Sequence, residues 1–465
     1  MALVIPRGGS IVRKRLITLL LTLSTVAFCG YVHHQVSLKV KNPYIDEYFH
    51  IRQCQKYCQH KFHEWDNKIT TPPGLYVLGF LYTNAIQKLS GAESNYYCGN
   101  YDILRSVNLL GFFALLAIAH RFKKSYGNQY LSINIASQPL LFTYYFLFYT
   151  DIWSTVFVVL ALTIVMSKPV RDYQAYCSGL LGLLSLWFRQ TNIVWVAFIL
   201  AVLVERSVVR KRGESPNFLA QTSSFISSFF KNWFKIIPFV INAVLFAIFL
   251  KINGGITFGD KENHEIQLHV VQVFYCFTFI VLFTWPVWFD VHCLKRYLKF
   301  VFVQNYGLNF GLNVVSLCAI KYVIDNFTVV HPFLLADNRH YTFYIFKRLI
   351  SHPKSYIIAV PLYHFATYSI ISSLSQSDKI NMRFVTIVCY LAAVCLTIIP
   401  SPLFEPRYYI VPLVIFRLFI KPVNTKRHYL EFIWLNTINV VTTLVFLNYE
   451  FTWASEPGSI QRIIW

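Results

Sequence analysis

The chain has 465 residues, of which 55% are hydrophobic and only 14% charged, against about 25% charged residues in a typical soluble protein. That composition excludes a soluble enzyme and any sizeable extramembrane nucleotide-binding domain, and it can supply about a dozen membrane crossings of about 20 residues each. The net charge of +21 is scattered as short Lys and Arg clusters between apolar segments. Orientation signals beside anionic lipid look like this, so membrane lipid is an expected partner and nucleic acid is not.

From the N-terminus, Arg13-Lys14-Arg15 precedes an apolar run from Leu16 to about Val32 with no small-x-small cleavage site after it. It reads as an uncleaved signal anchor with the N-terminus in the cytosol. Further spans are predicted near 103–120, 130–149, 152–167, 175–188, 192–205, 234–252, 269–289, 300–325, 355–374, 384–400, 408–420 and 429–448, about 13 transmembrane helices in all. No internal repeat divides them. Residues 1–465 are therefore expected to form one all-α polytopic membrane domain.

The apolar stretch from Pro73 to Leu89 decides the sidedness of everything after it. Counted as a crossing, it puts Arg121, Lys123 and Lys124, the cluster at Arg206, Arg210, Lys211 and Arg212, Lys295-Arg296 and Lys426-Arg427 on the non-cytosolic side. That violates the positive-inside bias at almost every short loop. Taken as a juxtamembrane or re-entrant helix, it returns all four clusters to the cytosol. The expected layout is a long first lumenal loop at 33–102 with juxtamembrane helices, a basic cytosolic linker at 206–232 and a basic lumenal loop at 326–354. Asn326-Phe327-Thr328, the one acceptor sequon, then falls on the lumenal side.

Most of the ten Cys lie in apolar runs as small hydrophobes. Cys54, Cys58 and Cys98 stand in polar segments, where a disulfide would form if that side is oxidising.

The same parity gathers the acidic and amide residues near span ends on the lumenal face, where a site should be sought. The first loop opens with Asn42-Pro43-Tyr44-Ile45-Asp46-Glu47-Tyr48-Phe49-His50. A carboxylate held there, its pKa raised by an apolar rim, could serve as a general base toward a hydroxyl; equally, Asp46 or Glu47 could cap the helix that follows. Trp65 to Tyr76, with Lys68 and two prolines, reads either as a helix start or as a ligand-binding turn. Glu64 and Asp66 stand two apart, but no other carboxylates cluster there, so no metal is assigned. Asp337-Asn338-Arg339-His340 lies in a lumenal loop whose positive charge breaks the orientation bias, which a bound phosphate would compensate. Arg407 beside Glu405, and Arg189, are further cations at span ends on that face; singly, each also reads as a snorkelling side chain.

No Gly-x-Gly-x-x-Gly, Walker loop, His-Glu-x-x-His or Asp-x-Asp is present, so a soluble nucleotide donor has no evident site and a lipid-carried donor suits the architecture. A transporter or lipid flippase, or a non-catalytic subunit of a larger assembly, are the competing readings.

Tyr44-Ile45-Asp46-Glu47 with Phe49-His50, then Trp65-Asp66, Lys68-Ile69-Thr70-Thr71 and Pro73-Gly74-Leu75-Tyr76, resemble the first loop of the Die2/Alg10 family of endoplasmic-reticulum alpha-1,2-glucosyltransferases. The resemblance continues at Phe188 to Asn192, Asn253 to Ile256, Gly259-Asp260 with His264-Glu265, Leu334 to Tyr344, Arg407-Tyr408, Ile460-Gln461-Arg462 and Trp465. Pro406 departs from it, standing where an aromatic residue is expected.

This resemblance implies a GT-C type membrane glycosyltransferase that uses dolichyl-phosphate glucose, without a cofactor, and transfers glucose with inversion to a dolichol-linked oligosaccharide acceptor. It implies that the catalytic carboxylate is Asp46 or Glu47. Arg339, His340 and Arg407, with Lys68 and Arg189, are then expected on the donor phosphate, and Asp151, Glu265 and Asp337 on sugar hydroxyls.

Overall fold

The computed structural model describes residues 7–465 except 92–95, 127–130, 167–169, 209–217, 376–381, 421 and 425. Arg210, Lys211 and Arg212 of the expected cytosolic linker lie outside the described residues. The chain is predominantly helical. Among the described residues, 6 helices are long and apolar enough to cross a membrane: Val12–Lys39, Tyr101–Phe122, Trp233–Asn253, Leu308–Asn326, Tyr356–Ser375 and Arg427–Asn448. Asp151–Val165, Gln272–Trp288 and Phe384–Ile398 are shorter apolar helices. Leu, Ile and Val side chains point outward along the perimeter, as at Leu16, Leu19, Leu20 and Leu23 on the first helix and Val240, Ile241, Val244 and Leu245 on Trp233–Asn253. Outward apolar faces of that length belong in lipid.

Two predicted spans depart from a simple crossing. The stretch at 130–149 is not one helix but Ser132–Ala136, Pro139–Phe142 and a 3-10 turn at Thr143–Phe146, all buried. Pro139 has no amide proton to donate and forces Gln138 into extended backbone (φ −61°, ψ 127°), which ends the first piece. At 408–420 the helix Ile410–Phe419 has 10 residues, all buried. At 1.5 Å per residue it reaches about half the hydrocarbon thickness, so it is a core element. The all-α expectation is also incomplete. Phe451–Trp453 pairs antiparallel with Glu456–Gln461, and the chain beyond forms a parallel bridge from Ile464 to His340.

After the first helix, α1 (Arg7–Lys39), comes α2 (Glu47–Cys58), and the stretch expected as a juxtamembrane helix forms α3 (Gly74–Ser90), which packs on α2 around Ile51, Tyr57, Leu75 and Tyr76. A disulfide joins Cys58 at the end of α2 to Cys98, while Cys54 stays a buried thiol. Between the first helix and α2 the chain bends at Asn42, and Tyr44 is pinned by the tail: its hydroxyl donates to the Arg462 carbonyl and accepts from the Arg462 amide at 3.0 Å. The Arg462 guanidinium ties this corner further by donating to the carbonyls of Phe446, Leu447 and Lys39.

Candidate active site

Ile45 takes φ +51°, a left-handed conformation costly for a β-branched residue, immediately before α2 starts. Asp46 then enters helical geometry, and because successive helical residues point about 100° apart, Asp46 and Glu47 face different surroundings.

Glu47 goes inward. It is fully buried; Arg105 donates to it through Nε at 2.9 Å and Nη2 at 2.7 Å, and the amides of Tyr44 (3.0 Å) and Phe148 (2.8 Å) complete its shell. Two further guanidinium protons of Arg105 reach the carbonyls of Val40 and Asn42 at 2.7 and 3.0 Å, and Asp102 lies 3.7 Å from Nη1. Glu47 thus lines neither cavity at the site, and its bonds fasten the loop that presents Asp46. Removing one partner of a buried pair costs about 3–5 kcal/mol because the other charge is left unpaired. Arg105→Met is expected to lower the thermal midpoint sharply in detergent. The double variant with Glu47→Gln should recover part of that loss. Unchanged melting of Arg105→Met would remove this role.

Asp46 goes outward. It makes no side-chain cap to α2, so the capping alternative fails for it. Its Oδ2 accepts from Arg407 Nη1 at 2.7 Å, and its backbone amide donates to the Tyr149 hydroxyl at 3.2 Å. Arg407 also donates through Nε to Glu405, so one guanidinium lies between two carboxylates. Pro406 occupies the first position of the 3-10 turn Pro406–Tyr409, where a missing amide proton is tolerated, so the departure from the family pattern leaves these charges in position.

Burial pushes the Asp46 carboxyl up, but the adjacent Arg407 outweighs it and holds the group down at about 2. The carboxylate is ionised at neutral pH, which corrects the expectation of a raised value. Glu405 is held low by the same contest of burial and Arg407. Burial pushes His50 down to about 4, so its ring is neutral; Nδ1 lies 2.8 Å from the Tyr76 hydroxyl.

Two cavities meet at this centre, with Asp46, Glu405 and Arg407 lining both. The first, about 870 Å³, brings in Asp337, Arg339, His340 and Trp453. Arg339 is held by Asp337 through Nε (2.8 Å) and Nη2 (2.7 Å) and lies 4.6 Å from the Trp453 ring, whose Nε1 donates to Asn338 at 2.7 Å. The second, about 550 Å³, brings in Lys68, Asp151 and Arg189. Arg189 Nη2 meets Asp151 Oδ1 at 2.9 Å, and Lys68 faces Asp260 at 3.6 Å.

Arg407, Arg189, Lys68 and Arg339 thus each sit beside an acid, and His340 shares Asp337 with Arg339 at 3.8 Å. Glu265 is exposed and lines neither cavity. Asp260, five residues earlier, lines the second cavity. The loop there is clamped: Asp260 donates its amide to the Asn67 carbonyl at 2.7 Å, and a Cβ on Gly259 would lie 2.2 Å from that same oxygen, so only glycine fits. Glu64 faces Lys56 and Lys61, while Asp66 accepts from the Lys68 amide, so these two acids do not converge. Sequence reasoning missed Glu405 and Asp260 as site members, although each stands within five residues of a predicted one. It gave no signal for Trp453, which reaches the site only through the terminal ribbon.

The model of the DIE2/ALG10 family matches residues 40–418. A protein of Debaryomyces hansenii named Dol-P-Glc:Glc(2)Man(9)GlcNAc(2)-PP-Dol alpha-1,2-glucosyltransferase is 49% identical over 460 residues, spanning 97% of this chain and 99% of that one. The protein of the same name from Candida albicans is 47% identical over 471 residues, 97% of this chain and 100% of that one. A solved oligosaccharyltransferase of Archaeoglobus fulgidus aligns with a TM-score of 0.29 and 13% identity over 86% of this chain and 54% of that one. With the family pattern spread over most of its length and near-full-length relatives this similar, the chain belongs to the DIE2/ALG10 family.

Proposed function

We infer that the chain is a dolichyl-phosphate-glucose-dependent alpha-1,2-glucosyltransferase. It transfers the terminal glucose to the diglucosylated dolichol-diphosphate-linked oligosaccharide and is a multi-pass enzyme of the endoplasmic reticulum of GT-C type. Near-full-length identity to proteins of that name carries the reading, and the pair Asp46–Arg407 at the meeting of two cavities supplies matching chemistry. Asp46 accepts the proton of the acceptor 2-hydroxyl as that oxygen attacks the donor anomeric carbon. The bond to dolichyl phosphate breaks on the opposite face, which inverts the centre. Arg407 holds Asp46 ionised and offers its charge to the departing phosphate, as a preorganised cation in a water-poor site does. Cations flank this centre on both sides, Arg189 and Lys68 in one cavity and Arg339 and His340 in the other. Asp151, one oxygen of which has no hydrogen-bond partner, is available to a sugar hydroxyl.

Purified protein given dolichyl-phosphate glucose and the diglucosylated lipid-linked oligosaccharide is expected to extend the glycan by one glucose, with or without chelator. Failure of the pure chain to transfer would assign it a non-catalytic place; loss with chelator would add a metal.

The site faces the lumen and the N-terminus the cytosol. The Cys58–Cys98 disulfide supports that side for the first loop, since such bonds persist in oxidising compartments. In sealed microsomes a tag inserted near Ser215 should be digested by added protease and one within 326–354 protected; the reverse pattern would invert the topology.

A further inference from the structure

The two cavities differ in what builds them. The 870 Å³ cavity is walled by loops, short turns and the terminal ribbon, with no residue from any of the long apolar helices. The 550 Å³ cavity runs among the ends of apolar helices, taking Ser154 and Thr155 from Asp151–Val165, Trp195 from Asn192–Ser207, Leu396 and Thr397 from Phe384–Ile398 and Val411 from Ile410–Phe419. It also holds unsatisfied buried atoms: Asp151 Oδ2, on a residue 3% exposed, and Arg189 Nε have no hydrogen-bond partner. Buried polar atoms of a native site are normally paired, so these two are set for a ligand that brings an acceptor and a hydroxyl together.

Resting on the function inferred above, we propose that the two substrates are sorted between these cavities. The 550 Å³ cavity takes the glucosyl phosphate head of the lipid donor, and the 870 Å³ cavity takes the terminal sugars of the acceptor. Arg189 Nε and Lys68, whose side chain is 62% exposed, give donors to phosphate oxygens, Asp151 Oδ2 accepts from a donor-glucose hydroxyl, and the polyisoprenoid tail leaves between helix ends. On the other side the Arg339 fork is already filled by Asp337, which leaves it less suited to a phosphate than to fixing the Trp453 ring beneath the apolar face of an acceptor sugar. Asp46, common to both cavities, stands where the acceptor hydroxyl meets the donor carbon.

Initial rates with each substrate varied in turn test the sorting. Lys68→Ala and Asp151→Asn should raise the donor KM about tenfold and leave the acceptor KM near wild type. Trp453→Ala should raise the acceptor KM by a similar factor and spare the donor, with Trp453→Tyr restoring much of it because a ring remains. Thermal stabilisation by dolichyl phosphate, measured without turnover, should be weakened by Lys68→Ala and kept by Trp453→Ala, and melting curves of the free variants control for misfolding. The opposite pairing, or no change in either KM, overturns the sorting while leaving the enzyme reading intact. Wild-type protein that binds dolichyl phosphate but transfers no glucose overturns the enzyme reading instead.

Discussion

Asp46→Asn is expected to lower the rate of glucose transfer by about 10²–10⁴-fold, the usual worth of a general base, with only a modest fall in melting temperature, because Arg407 loses the Asp46 charge but keeps Glu405. The amide keeps the size of the carboxylate and can still accept from Arg407, but it cannot take a proton from a hydroxyl. Since Asp46 makes no capping bond to α2, there is no cap to lose. Glu47→Gln should behave in the opposite sense. It leaves the fully buried Arg105 with only the longer contact to Asp102 at 3.7 Å, so it destabilises the protein while the folded fraction keeps most of its turnover per molecule. Rates normalised to folded protein, taken beside melting curves for both variants, decide the matter. If Asp46→Asn turns over like wild type, the base lies elsewhere, and Asp151, the other acid in the cavity wall that keeps an unpartnered oxygen, is tried next.

This reversal between neighbours shows where sequence reading stops. Sidedness and resemblance brought Asp46 and Arg407 to one face although 361 positions separate them. Which of two adjacent acids looks into the site is a matter of helix rotation, set by the Ile45 turn and by where Arg105 is buried. Neither leaves a mark in a run of residue types. The cations were legible as charges on one face, but not with their partners: Arg189 with Asp151, Lys68 with Asp260 and Arg339 with Asp337 spend their charge locally.

Hydropathy has a parallel limit. It registers that 130–149 is apolar, and a broken segment buried inside the bundle is as apolar as one facing lipid. Pro139, which opens the second piece, is the local mark of the break. The terminal ribbon lacks the alternation that would announce strands, since Glu456–Gln461 is exposed at all but its last position. Its place beside His340 comes from tertiary contacts at Tyr44 and Arg462 that no local pattern encodes.

Arg407→Met should produce a variant whose residual activity depends on pH in a way the wild type does not. In the wild type burial raises the Asp46 carboxyl and Arg407, outweighing it, brings it to about 2, so the base stays ionised throughout the neutral range. Being depressed, the group contributes stability above its unfolded value that is lost only as pH falls through its folded one. Without the guanidinium, the largest influence opposing burial is gone, leaving the pull of His50 and His340, and Glu405, no longer bridged, repels the Asp46 charge. The carboxyl then titrates upward, and a larger share of it is protonated as pH drops. The expected loss is about 10²–10³-fold at about pH 8, the worth of a removed transition-state donor, and it deepens toward about pH 6. The stability linkage also changes sign: a group whose folded value is raised gains stability as pH falls, so Arg407→Met should melt closer to wild type at the lower pH. Arg407→Lys keeps the charge but not the fork that reaches Asp46 and Glu405 together, and should recover part of the rate with a flat profile. A pH-independent deficit in Arg407→Met would separate Arg407 from the ionisation of Asp46 and leave it only a role toward the leaving phosphate.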